Sequence, residues 1–345
     1  VRRPYFFEIF ALVNLAAIAL FAWASLPIVG SPIAHLIAFA VAFGTQALVG
    51  VIVRVIIALV RRDRSYLIAI RSVGWLVDTL RLLVGSAAVI VAYGWIKLVV
   101  PIYHPRLFDA ELWDLDRILF LGIAPTTFFL DLFGAPWFLR VIDWTYANIF
   151  FVSGSIAYAW LFSHPERRIR IAFANGNAAL WISGAWLYLL LPSLGPALRF
   201  PEVWFAHSEG LRVTQGLQAI LMRNYQNVIR AWNGEAITEP IRIVFGIGAF
   251  PSMHVAFQMF VFLWTRRLWR AGQVLFGIFV FVIFLGSMIT GWHYLIDSIA
   301  GLVMAYLSYR ACFPKHADDA GNDAGRSAGG ADRAGSAGVS GSAAE

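Results

Sequence analysis

His254, His293 and Asp297 are the residues of this sequence whose types and spacing could do chemistry. His293 and Asp297 are four apart, so on a helix they share a face, and the carboxylate is placed to orient the imidazole and fix its tautomer. His254 follows Pro251 and Ser252, residue types that suit the start of a helix. A neutral imidazole at His293 could attack an electrophile such as phosphorus and form a covalent adduct. His254, when protonated, would donate to the departing oxygen and later take a proton from incoming water or alcohol. Ser252 and the free backbone N–H groups of that helix start are candidates for holding phosphate oxygens. Ionisable groups among apolar runs are costly, and the cost marks such positions as functional.

The elements that must carry this set are membrane helices. Of 345 residues, 60% are hydrophobic and only 14% charged, against about 25% charged in a soluble domain; the mean hydropathy is +0.71. Apolar runs near the roughly 20 residues needed to cross hydrocarbon place eight spans at 6–29, 34–60, 81–103, 141–162, 171–192, 252–265, 272–290 and 294–312. The expected fold is all-α, a polytopic membrane helix bundle. The first run, Phe6 to Val29, is too long for a signal-peptide core and reads as a retained helix. Between the second and third runs, Arg61 to Arg64 opens a basic connection, and the stretch on to Arg81 reads as amphipathic and lying on the membrane surface. Residues 104–140 mix apolar and acidic positions and read as interfacial or re-entrant helices. There is no internal repeat. The single cysteine, Cys312, excludes an internal disulfide framework and a multi-cysteine metal site.

Three parts follow: N-terminal spans over 1–104, the histidine-bearing membrane segment over 105–312, and a tail over 313–345. Of the 30 residues from His316 on, 16 are Ala or Gly, too few large apolar groups to bury a core, so a disordered extension is expected. That tail is net −3, leaving +10 on the membrane body of a chain that is +7 overall. The body's arginines flank apolar spans, which points to membrane orientation and anionic headgroups and away from nucleic acid. Arg2 with Arg3, Arg61 to Arg71, Arg167 to Arg170, Arg266 to Arg270, and Arg310 with Lys315 fall on one side of an eight-span arrangement. The opposite short connections, Gly30 to Ile33 and Gly291 to Trp292, carry no Lys or Arg. Positive-inside asymmetry then makes the basic side and the C-terminus cytoplasmic, with the histidines and the long connection 193–250 extracytoplasmic.

Pro251-Ser252-Met253-His254, followed by Gly291-Trp292-His293-Tyr294-x-x-Asp297, resembles the second and third motifs, Pro-Ser-x-His and His-x-x-x-Asp, of the type 2 phosphatidic acid phosphatase superfamily. The similarity runs over roughly 105–312, through the stretch from Leu107-Phe108-Asp109 to Leu115-Asp116-Arg117 and the turn from Tyr188 to Pro196. It looks most like the branch containing inositol phosphorylceramide synthase and its bacterial relatives. The resemblance implies a phosphatase-like membrane core with His293 as nucleophile, Asp297 as its orienter and His254 as acid and base. It implies a phospholipid or polyprenyl phosphate substrate met at the extracytoplasmic face of a bacterial inner membrane, with no cofactor and no metal. Two departures stand out. The family's Lys-x6-Arg-Pro motif is missing, since neither Lys97 nor Lys315 is followed by it, and the arginine expected six residues before His293 is Ser287. Arg199 and Arg242, on the outer connection, are the candidate substitutes for binding phosphate.

Other readings compete. Water in place of an alcohol acceptor would make a lipid or polyprenyl phosphate phosphatase. A vanadate-dependent haloperoxidase would want the missing cations. A transporter or scaffold with a relic site would tolerate loss of either histidine. Asp109, Asp114 and Asp116 suit magnesium by type, but they lack the Asp-x-x-Asp-Gly pattern of metal-dependent phosphotransferases, and they read as the polar face of an interfacial helix. His35, His104, His164, His207 and His316 are scattered singly and read as incidental, and Arg54, deep in the second run, as a residue that snorkels or pairs across the bundle.

Overall fold

The computed structural model describes residues 3–21, 31–207 and 209–313, and no strand forms among them. Each apolar run becomes a helix: α1 (Phe6–Phe21), α2 (Pro32–Val60), α4 (Val73–Tyr103), α7 (Pro136–Phe162), α8 (Arg167–Leu190), α12 (Met253–Leu268), α13 (Arg270–Ile289) and α14 (Leu295–Cys312). Between them lie the short helices α3 (Ser65–Ile70), α5 (Asp109–Leu119), α6 (Pro125–Leu132), α9 (Pro196–Arg199) and α10 (Pro201–Phe205), and the longer α11 (Arg212–Trp232).

Four of these helices, α2, α4, α13 and α14, are long and apolar enough to cross a membrane. The other runs are shorter or more polar: α1 has 16 described residues, α12 has 16 and ends on Arg266 and Arg267, and α8 opens on three arginines. Residues 22–29 of the first expected span and 314–345 of the expected tail lie outside the described residues. Two other expectations change. The amphipathic stretch before the third run divides: α3 takes only Ser65–Ile70, and from Val73, where Ser72 Oγ caps Trp75 N, the chain already belongs to the helix that continues unbroken to Tyr103. The connection 193–250 is not simply a loop. It holds α11, whose buried Thr214, Gln218, Asn224 and Asn227 face the protein; a helix with so polar a buried face gives no apolar run to read.

α4 is the centre of the bundle. Of its most apolar window 72% is buried, against 17% for α2, and it packs on α1, α2 and α8. The second half of the molecule is built on α12, which lies against α13 and α14. Without water to drive helices together in lipid, close approach at small residues supplies the packing. At Gly50 a Cβ would stand 1.8 Å from the Ala159 carbonyl oxygen, so only glycine lets α2 lie against α7 there. At Gly301 it would stand 2.5 Å from the Ser252 carbonyl oxygen, which brings α14 against the start of α12. The basic connections gather at one end of the bundle. There Arg167 pairs with the buried Asp78 at 2.5 Å, and Arg81 lies 2.6 Å from Glu8. Tyr5 donates to Asp78 at 2.8 Å. The histidines occupy the other end.

Candidate active site

His293 sits in the turn between α13 and α14, held because the N–H groups of Trp292 and His293 both donate to the Ser287 carbonyl, at 3.0 and 3.1 Å. Ser287, the position that carries arginine in the family motif, is thus a buried structural residue. The free N–H groups at the start of α14 go to two carboxylates. Asp297 accepts from Tyr294 N at 2.8 Å, and Asp116, reaching over from α5, accepts from Leu295 N at 2.7 Å and Ile296 N at 2.8 Å. Acidic groups at a helix N-terminus complement its dipole as well as its orphan donors. Asp109, two turns before Asp116 on the same face of α5, accepts from Leu194 N (3.0 Å), Gly195 N (2.9 Å) and the Tyr294 hydroxyl (2.8 Å). Ser193 in turn fixes the segment before α12: its carbonyl accepts from Ala249 N at 2.9 Å and its Oγ from Phe250 N at 3.0 Å. Ser252 N donates to the Asp297 carbonyl at 2.9 Å, locking the two motifs together.

The result is an imidazole pair. His293 Nε2 is 3.4 Å from His254 Nδ1, with Phe150 edge-on to the His254 ring at 4.5 Å and Tyr146 at 5.4 Å. The Nδ1 of His293 lies 2.9 Å from the Ala249 carbonyl. A carbonyl can only accept, so Nδ1 carries the proton of the neutral ring and Nε2 presents its lone pair to the site. Burial holds this ring neutral, pushing its pKa down to about 3, opposed by the Ala249 bond and aided by the Lys97 charge. The expected Asp297 contact is looser than the sequence suggests. Its Oδ2 is 3.6 Å from Nδ1 and is already bonded to Tyr294 N, so the closer orienting partner is a backbone carbonyl.

Among the described residues, no hydrogen bond joins the candidate phosphate ligands to the imidazole pair. Ser252 is fully buried, its Oγ 3.4 Å from Val255 N as the N-cap of α12. Arg199 and Arg242 are exposed and lie over Phe200 and Phe245; Arg199 bears on Asp109 and, among the described residues, neither guanidinium bonds to an imidazole. Among the described residues, the cation whose charge reaches both histidines is Lys97 of α4, seated 4.9 Å over the Tyr188 ring. Sequence reasoning missed it, although the signal was there. After six intervening residues, Lys97 is followed by His104-Pro105, the spacing of the family's Lys-x6-Arg-Pro with histidine in place of arginine. Asp109 and Asp116 were legible too. Seven residues apart, they share a helix face, and both are buried as acceptors for backbone amides, whereas Asp114 is exposed. Burial raises the Asp116 carboxyl to about 6, against the two amide bonds that lower it, with the nearby Asp297 adding to the rise.

All-helical over its described residues, with four helices long and apolar enough to cross a membrane and an imidazole pair at one end of the bundle, the chain has the features of a membrane protein. The family model described as the PAP2 superfamily matches residues 110–311, more than half of the chain, and the chain belongs to that superfamily, whose members are generally phosphatases and phosphotransferases. No curated protein and no solved structure matches it. Lys97 lies outside the matched segment and is supplied to the site by the N-terminal helices.

Proposed function

We propose that this protein is a membrane lipid phosphotransferase working through a phosphohistidine. The observation that carries the reading is the imidazole pair, 3.4 Å apart with the His293 proton fixed on the far nitrogen. In the first step His293 Nε2 attacks the phosphorus of a lipid phosphate ester. The N–P bond forms as the P–O bond to the alcohol breaks, and His254 gives that oxygen its proton. In the second step an acceptor hydroxyl attacks phosphorus, His254 takes its proton, and the N–P bond breaks. Lys97 neutralises the charge that builds on the phosphoryl oxygens, the role the family's missing arginines would share. The donor is a phospholipid or a polyprenyl phosphate, entering from the bilayer with its apolar chains still in hydrocarbon, and the leaving group is the alcohol freed when its P–O bond breaks. We place the histidine end extracytoplasmic in an eight-span arrangement across a bacterial inner membrane, because the basic connections gather at the opposite end.

An alcohol acceptor follows from the resemblance to the inositol phosphorylceramide synthase branch. A second reading, water as acceptor, is favoured by Lys97, whose spacing to His104-Pro105 brings the chain nearer to the ordinary phosphatases than a motif scan allows. One experiment separates the two. Purified protein in detergent, with chelator present, is given a panel of radiolabelled phospholipids and polyprenyl phosphates, with and without ceramide or diacylglycerol. New phospholipid without free phosphate is the expected result; free phosphate regardless of acceptor makes the protein a phosphatase. A His293→Ala protein of full activity sinks both.

A further inference from the structure

At the basic end, away from the histidines, the bundle holds a pocket of about 740 Å³ between α2, α3 and α7, closed on one side by Trp269. The distance from His254 to Trp269 along α12 is about 22 Å at 1.5 Å per residue, so this space is separate from the imidazole site. Its volume falls in the range of small-molecule sites. The outer wall is Val49, Val53 and Ile57 of α2, each also partly exposed on the flank of the bundle that faces lipid.

Arg54 lines this apolar space. Its Nε donates to Ser163 Oγ at 2.9 Å and its Nη2 to the Trp160 carbonyl at 3.0 Å, and the guanidinium stacks 3.9 Å above the Trp160 ring. These neutral partners replace part of its hydration, and among the described residues no carboxylate pairs with it. A cation withdrawn from water with no anion beside it is unfavourable, and the imbalance is relieved by a ligand of opposite charge. Arg61, two helical turns further along the same face of α2, lines the rim. The one acid on the lining, Asp63, is exposed and accepts from Ser65 N. Two further polar atoms of the lining, Gln46 Oε1 and Trp160 Nε1, are buried without a partner.

We infer that this pocket binds one anionic phospholipid of the basic-side leaflet, its phosphate between Arg54 and Arg61 and an acyl chain along Val49, Val53 and Ile57. Charge complementarity selects the headgroup, and the opening on the lipid-facing flank selects a lipid over a soluble anion. Arginine suits the phosphate because its planar fork offers two parallel donors.

The test is thermal unfolding of the full chain in detergent with added phosphatidylglycerol, phosphatidylcholine or inorganic phosphate. Phosphatidylglycerol at a hundredfold excess over its Kd is expected to raise Tm by about 5 °C, and the other two to leave it unchanged. Arg54→Gln and Val53→Trp are each expected to abolish the shift. Val53→Trp fills the pocket from its exposed wall, so it keeps the test alive if Arg54→Gln fails to fold. Lys97→Met, at the imidazole end, is expected to keep the shift. A shift that survives either pocket variant, or is lost in Lys97→Met, overturns the proposal by moving the lipid to the other site. An equal shift with phosphatidylcholine overturns the charge selection, and an equal shift with inorganic phosphate assigns the pocket to a free anion.

Discussion

His293 shows how little of an active site is its named residue. Its ring stays neutral because it is buried, and its lone pair faces His254 because a carbonyl claims the other nitrogen. Neither cause is a side chain that a motif records. The pair itself was legible, since two histidines and an acid in fixed spacing stand out from an apolar background. Lys97 was passed over despite its spacing to His104-Pro105, because it sits inside an apolar run, where a lone charge looks like an exception to a span and not like part of a site. Removing it is the direct check. Lys97→Met should lower kcat/KM for the lipid substrate about 100-fold or more, in line with the loss of one charge-stabilising group, while Lys97→Arg should retain part of the rate. If Lys97→Met turns over as the parent does, the phosphate is held by other groups. Trapping gives a second check: rapid acid-free quench of turnover with phosphorus-labelled donor should leave label on the parent chain and none on His293→Ala, and label on both places the adduct elsewhere.

The start of α14 is where one element governs the site. Asp116 satisfies two amides that would otherwise be buried donors without acceptors. Asp116→Ala should therefore cost about 3 kcal/mol of stability and shift the turn bearing His293, so activity should fall with it; an unchanged Tm and rate would show that α5 is only a neighbour. The raised carboxyl also gives a pH signature. Its folded value, about 6, lies above the unfolded value of about 3.9, so the native state binds the proton more tightly. Stability is then highest below about pH 4, falls as pH rises through about 6, and levels off beyond, a drop of about 3 kcal/mol at most. Asp109 shifts in the same direction by burial, so the informative quantity is the difference between parent and Asp116→Asn. That difference should follow the same pH window, and a flat difference removes Asp116 as its source. The sequence shows α5 as a mixed apolar and acidic stretch, and reading its three acids together as one polar face hid a pair whose spacing of seven puts both on the inner face.

At the scale of the molecule, hydropathy gave the positions of the eight long apolar helices, because apolar runs of this length have few alternatives to helix in lipid, and it missed the 21-residue polar α11. It gave the number that can cross less well. Length and composition alone qualify four, and the rest carry the arginines and buried polar groups with which they bind one another. The eight-span proposal is tested with single cysteines in a Cys312→Ser background. A membrane-impermeant maleimide applied from the outer face should label a cysteine at exposed Arg242 and not one at exposed Arg62; the opposite pattern inverts the orientation, and labelling of both breaks the span count. Lys97 of α4 bears by its charge on histidines that stand more than 150 residues later in the chain, so the proposed site draws on the N-terminal helices as well.

The bond from His293 to Ala249 has a consequence for anyone mapping the protein by mutagenesis. Every residue type has a carbonyl, so Ala249→Gly leaves the contact chemically intact and a substitution scan will score that position as unimportant to the ring. The dependence will surface one step away, at Ser193, whose hydroxyl and carbonyl hold the backbone of Ala249 and Phe250 in place. A map of sensitive positions would then outline the scaffold around the contact and leave the contact itself blank.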